Sequence, residues 1–285
     1  MPLLATTSIA NLTALLAVRV AAENACDMAV NQGKRCRVLL YHVHKTGGTT
    51  LCALAARNGH SVDLKSNCQG GRRWWAAPRA EKAAFLAASA HDFVATEDQP
   101  FVAPPWPGTP SLLVISVRNP LDRILSHFRH HRRDQKLTNF SFSTFAARRA
   151  DERGKDDYWA SNFYVQLLGA AAPPSSPPAT CFGRGSQCGA AHLDLSLSRL
   201  EGYFSVVLVA DSPALFRQGG QLLRQRLGWR EWDTDKSRRG TAVASSAAAE
   251  LKGDPGAFRR LLAANLLDMR FYERAKTLYE GAVEK

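Results

Sequence analysis

An α/β fold, with a mostly parallel sheet covered by helices in a single domain, is predicted by three observations. Apolar runs of strand length recur along the chain, and each is followed by a segment with helical spacing. The runs are apolar throughout rather than alternating, as expected of strands buried on both faces. The chain has 285 residues, 45% of them hydrophobic and 22% charged, enough for one substantial core and unlike a disulfide miniprotein or a disordered chain.

The first strand is read at Arg37-Val-Leu-Leu-Tyr-His-Val43, followed by Gly47-Gly48 and a helix from Thr49 to Asn58. An Ala-rich helix over 80–90 then leads to a strand at Asp92-Phe-Val-Ala-Thr96. Ser111 to Val117 is the strongest strand and runs into a helix from about Leu121 to Arg133. Tyr203 to Ala210 supplies a further strand, with a helix through Leu215, Leu222, Leu223 and Leu227. Residues 170–191, rich in Pro, Ser, Gly and Ala, read as a surface loop. From about Pro255 onward Leu261, Leu262, Asn265, Leu266, Met269, Tyr272, Ala275 and Tyr279 recur at helical spacing, which predicts one docked terminal helix. The domain is expected over 37–285.

Residues 1–25 read as a leader or a weak signal anchor. No charge occurs before Arg19, but Thr6, Thr7, Ser8, Asn11 and Thr13 make the segment a poor bilayer-spanning helix. Membrane contact is expected only through such an anchor. Six cysteines form an even set without a C-x-x-C pair, so a zinc ribbon is not supported and no metal site is expected. Cys181 and Cys188 bracket a short loop that a disulfide can close in an oxidising lumen, and Asn139-Phe140-Ser141 is a glycosylation acceptor pattern; the remaining thiols read equally as buried apolar groups. The balance of 37 Lys+Arg against 25 Asp+Glu gives +12, which predicts a polyanionic partner without naming it.

Two segments are built for anions. His44-Lys45-Thr46-Gly47-Gly48-Thr49-Thr50 places a lysine, two glycines and three hydroxyls between a strand and a helix start. Glycines let backbone N–H groups approach a phosphate, and the helix N-terminus adds partial positive charge. The lysine precedes the glycines, so this is not a Walker A loop, and an ATP-hydrolysing reading loses ground. In Arg118-Asn119-Pro120-Leu121-Asp122-Arg123, followed by Ser126, Pro120 suits a first helical turn. Arg118 at the strand end and Ser126 in the helix then face one anion. Arg123 is expected in structural ion pairs, and His127, His130 and His131 on a basic helix surface.

The run Lys45-Thr46-Gly47-Gly48-Thr49-Thr50 resembles the 5′-phosphosulfate loop of the glycan O-sulfotransferases, most of all the heparan sulfate 6-O-sulfotransferases. Arg-x-Pro-x-x-Arg-x-x-Ser resembles the family's 3′-phosphate motif, also in its 2-O-sulfotransferase form. Asn162 to Gly169 and Asn265 to Lys276 resemble further segments of the 6-O group. The likeness covers roughly Arg37 to the C-terminus, with the loops matching poorly. It implies a P-loop-NTPase-like fold, a Golgi enzyme of the secretory pathway, and 3′-phosphoadenosine 5′-phosphosulfate as co-substrate, with no metal. The implied acceptor is an acidic polysaccharide, not a nucleic acid. Lys45, Thr46, Gly47, Gly48, Thr49, Thr50, Arg118 and Ser126 would bind the donor, Lys45 also acting in catalysis. Lys236-Ser237-Arg238-Arg239 resembles the basic segment that closes over the nucleotide. His44 departs from the family, where proline or glutamine is usual.

For the general base the resemblance of Ala90-His91-Asp92-Phe93 to the base-bearing segment of the 6-O group favours His91, with His44 as competitor because it adjoins Lys45. Arg72, Arg73, Trp74 and Trp75 combine charge with aromatic area, suited either to an acidic sugar chain or to anchoring a loop. Two other classes remain open: a kinase-like phosphoryl transferase, which needs magnesium and ATP, and a noncatalytic polyanion-binding protein.

Overall fold

The computed structural model describes residues 9–69, 81, 91–97, 100–101, 110–134, 141–147, 158–170, 181, 188–232 and 246–280. Among these, the sheet has four strands: β1 (Arg37–His42), β2 (Phe93–Glu97), β3 (Ser111–Val117) and β4 (Val206–Val209). Their order is β2-β1-β3-β4 and every pairing is parallel. The α/β class, with a parallel sheet between helices, is therefore the observed one.

Side-chain alternation divides the core into two layers. Val38 and Leu40 of β1 face one cluster with Leu112, Val114, Val206 and Leu208, covered by α2 (Gly48–Arg57) and by Leu223. Leu39 and Tyr41 face the other with Leu113, Ile115, Val207 and Val209. That larger layer is closed by α3 (Pro120–Asp134), α4 (Phe142–Ala147), α5 (Phe163–Gly169) and α6 (Ala190–Tyr203). α7 (Pro213–Leu227) follows β4, and α8 (Ala247–Glu250), α9 (Pro255–Ala263) and α10 (Leu266–Glu280) complete the chain. α6 reaches Tyr203, so the last strand is shorter than the run Tyr203 to Ala210 suggested.

The terminal segment is two helices, not one. Asn265 is fully buried at the break, where its amide donates to the carbonyls of Ala160 and Leu261 at 3.0 and 2.9 Å and its Oδ1 accepts from Asn162 N–H at 3.0 Å. Asn162 Oδ1 in return accepts from the N–H groups of Leu267 and Asp268, capping α10. A continuous helical pattern cannot reveal this asparagine exchange.

The described part of the segment read as a leader or weak signal anchor is helical and packed. From Ile9 to Asn31 it forms α1, which packs on α6, α7 and β3. Arg19 donates to the Glu201 carbonyl at 2.6 Å, Arg226 pairs with Glu23 and Asp27 at 3.0 and 2.6 Å, and Cys26 is bonded to Cys36. The packed body thus extends N-terminal of residue 37. No helix among the described residues is long and apolar enough to cross a membrane. Cys52–Cys68 and the expected Cys181–Cys188 complete three disulfides, which fit an oxidising secretory or extracellular environment. The Ala-rich helix over 82–90, Asn139 and most of the 170–191 loop lie outside the described residues.

Candidate functional site

The chain leaves β1 for β2 on one side and β3 for β4 on the other, so the carboxyl ends of β1 and β3 flank a topological switch point, where open α/β sheets bind ligands. His42 is paired with Ser116, and His44 and Arg118 each lie two residues beyond that pair. The loop bearing Lys45 and the turn bearing Arg118 therefore emerge side by side.

The loop is closed from beneath. Thr46 is fully buried; its hydroxyl and N–H both donate to the Val43 carbonyl, at 2.6 and 3.2 Å, and its own carbonyl accepts from Ser116 Oγ. Thr46, expected among the donor-binding residues, thus has both of its donors turned inward. Gly48 N–H donates to His42 Nε2 at 3.2 Å, and a Cβ on Gly48 would overlap the His42 ring, so this glycine serves close packing rather than the ligand. Gly47 and Lys45 hold positive φ, 94° and 70°. Gly47 and Thr49 are exposed, and Lys45 and Thr50 half-buried, at the start of α2, whose first N–H groups have no intrahelical acceptor. These four residues form the outward face of the cradle.

Arg118 follows β3, and Asn119 caps α3 by accepting from the N–H groups of Leu121 and Asp122 at 3.0 and 3.3 Å. Ser126 is half-buried one to two turns along α3, on the face of Asp122 and His130. Arg123 points the other way, fully buried, donating to the Trp159 carbonyl with its guanidinium 4.7 Å from the Phe163 ring centroid. The Arg123 guanidinium, expected in ion pairs, is engaged inside the fold with a carbonyl and an aromatic ring.

Histidines crowd the other side of Lys45. His44 Nδ1 lies 2.7 Å from Glu97 Oε1, and Gln69 donates to the second oxygen of Glu97. Burial pushes the Glu97 carboxyl up, but the bond to His44, the charges of His42 and His44 and the Gln69 amide outweigh it, so its pKa lies below the ordinary carboxylate value. Burial pushes His42 down to about 4, against the opposing pull of Glu97. His127 does not lie on the helix surface: it is 5% exposed, stacked 3.8 Å from Trp159 with the tilted His44 ring 4.6 Å away, and burial first, then the charges of His44 and Arg123, lower its pKa and keep it neutral.

His91 is not brought to this site. Phe93 pairs with Val38 at the amino end of the strands and Glu97 with His42 at the carboxyl end, so His91 precedes β2 at the amino end, up to roughly 20 Å of extended chain from the level of Glu97. There it contacts Ser61 Oγ at 3.2 Å. On this register His91 and Lys45 lie toward opposite ends of the strands, and of the two candidate bases only His44 adjoins the lysine. Glu97, Gln69 and Trp159 are not singled out by the sequence, and His127 reads there as a surface residue. Glu97 was within reach, since it ends a strand at the edge where parallel sheets place their sites. Arg72, Arg73, Trp74, Trp75, Arg238 and Arg239 lie outside the described residues. Among the described residues no three His, Cys, Asp or Glu side chains are placed to hold a metal ion. Comparison of the chain with protein-family models and with curated proteins gave no match.

Proposed function

We propose that the protein is a carbohydrate O-sulfotransferase of the secretory pathway, resident in the Golgi, that uses 3′-phosphoadenosine 5′-phosphosulfate as donor and an acidic polysaccharide as acceptor. The observation that carries this reading is the emergence of the Lys45 loop and the Arg118 turn from adjacent parallel strands, with the His44–Glu97 pair beside the lysine. One anion cradle suits many nucleotides. A second, one strand away and headed by an arginine, suits a nucleotide phosphorylated at two places.

In this scheme Lys45, Gly47, Thr49 and Thr50 hold the 5′-phosphosulfate, and Arg118 with Ser126 holds the 3′-phosphate. A sugar hydroxyl attacks sulfur in line; the new O–S bond forms as the bond from sulfur to the bridging phosphate oxygen breaks, releasing adenosine 3′,5′-bisphosphate. Lys45 stabilises the charge developing on that bridging oxygen. Glu97, ionised, accepts from His44 Nδ1–H, which leaves the lone pair on Nε2 to take the hydroxyl proton. The acceptor's anionic groups meet the carboxyl half of α3, where Arg132 and Arg133 are exposed and the His130 ring is 5.7 Å from His44.

The test is a screen with radiolabelled sulfate donor against desulfated polysaccharides, followed by disaccharide analysis. Transfer to a sugar hydroxyl is expected, and the position of the new sulfate assigns a 6-O, 2-O or other specificity. Absence of transfer together with magnesium-dependent use of ATP would identify a phosphoryl transferase instead.

A further inference from the structure

The Arg118 turn is held by side chains from three distant parts of the chain. Tyr164 on α5 is fully buried, and its hydroxyl accepts from Arg118 N–H and donates to the Arg118 carbonyl, each at 2.9 Å. The next N–H, that of Asn119, donates to Asp211 Oδ2 at 2.9 Å in the turn after β4. The Asp211 carboxylate is steadied by the Tyr272 hydroxyl of α10, 3.0 Å from both of its oxygens. β3 ends at Val117, so Arg118 has left the ladder, and one phenol takes over both polar groups of its backbone. Fixing the peptide planes on either side of a residue fixes the direction of its Cα–Cβ bond, and hence where a guanidinium can reach.

The chemistry suits a permanent clamp. Burial, the largest influence on both groups, raises the Tyr164 and Tyr272 hydroxyls far above their ordinary values, and the Asp211 charge adds to this at Tyr272. Both therefore keep their protons across the working pH range. Tyr164 is also tied to the core, with its ring 5.4 Å from that of Phe271 and its N–H bonded to Asp268.

We propose that Tyr164 and the Asp211–Tyr272 pair are positioning residues that aim Arg118, and so set the preference of the site for a 3′-phosphorylated nucleotide. This rests on the reading of Arg118 as the 3′-phosphate ligand.

The test is calorimetric titration of adenosine 3′,5′-bisphosphate and of adenosine 5′-monophosphate into wild type, Tyr164→Phe, Asp211→Asn and Asp211→Ala, with near-UV circular dichroism to verify folding. Wild type should prefer the bisphosphate. Tyr164→Phe should lose about tenfold of its affinity for the bisphosphate, the scale of two neutral hydrogen bonds, while the monophosphate changes by less than about twofold. Asp211→Asn keeps an acceptor for Asn119 N–H and should stay near wild type, whereas Asp211→Ala should follow Tyr164→Phe. This pair decides the matter if Tyr164→Phe does not fold. Equal weakening of both nucleotides, or unchanged binding of both, overturns the clamp. Lack of preference in wild type overturns the role of Arg118 itself, and the clamp with it.

Discussion

At the scale of single residues, the candidate site depends on which atoms have already found partners. Two loop residues with phosphate-binding side-chain or backbone chemistry, Thr46 and Gly48, use it internally, and this makes their contributions separable from those of Lys45. Gly48→Ala drives a methyl group into the His42 ring and is expected to destabilise the fold by about 1–3 kcal/mol, read by urea denaturation. His44→Ala should lower sulfate transfer by ~10²-fold while leaving adenosine 3′,5′-bisphosphate bound, and His91→Ala should leave transfer within about twofold; equal losses from the two variants would contradict the placement of the base. His42 gives a pH signature. Its pKa is about 4 in the fold against 6.5 in the open chain, so its contribution is complete above pH 6.5 and lost as the pH falls through 4. The loss amounts to about 3 kcal/mol. Asp268 acts in the opposite sense: burial raises it to about 6, so its contribution is present below its ordinary value and lost as the pH rises through 6. The comparison of wild type with His42→Gln isolates the histidine, and the variant should show the shallower decline of stability between pH 6.5 and 4.

At the scale of elements, β1, β3 and the helices after them were legible because apolar runs, Pro120 at a helix start and Gly47-Gly48 are local signals. The Lys45 loop and the Arg118 turn, proposed as the anion sites, were legible for the same reason. The rest is set by contacts between distant residues. Nothing near His91 in sequence says that β2 presents its far end, Glu97, to the loop; that follows from the pairing of Phe93 with Val38. The burial of His127 depends on Trp159, and the break at Asn265 depends on Asn162. Residues 1–25 read as a leader or weak signal anchor because no charge precedes Arg19, and sequence alone does not show that Arg19 and Glu23 of α1 bind partners far along the chain or that Cys26 is bonded to Cys36. The Cys52–Cys68 bond joins α2 to the turn that delivers Gln69 to Glu97, so it supports the loop's helix and the His44 carboxylate partner together. A Cys52→Ser/Cys68→Ser double variant is expected to lose about 3 kcal/mol of unfolding free energy in urea titrations, from the closed loop of 16 residues' separation.

At the scale of the whole molecule, the Lys45 and Arg118 turns, proposed as the two anion sites, meet at one switch point of a four-stranded parallel sheet, in a chain of net charge +12. If that charge recruits an acidic polysaccharide, raising salt from about 0.1 M to about 1 M, where the screening length falls from roughly 10 to roughly 3 Å, should weaken acceptor binding while the enclosed donor is affected less. Salt-independent acceptor binding would assign the charge no part in recruitment. The proposed function requires that both turns hold one nucleotide. Calorimetric titration of adenosine 3′,5′-bisphosphate without magnesium, into wild type, Lys45→Ala and Arg118→Ala, tests this most directly. Saturable binding by wild type and a loss of ~10-fold or more in each variant are expected; binding that is absent from wild type, or unchanged in both variants, would contradict a nucleotide held by both turns.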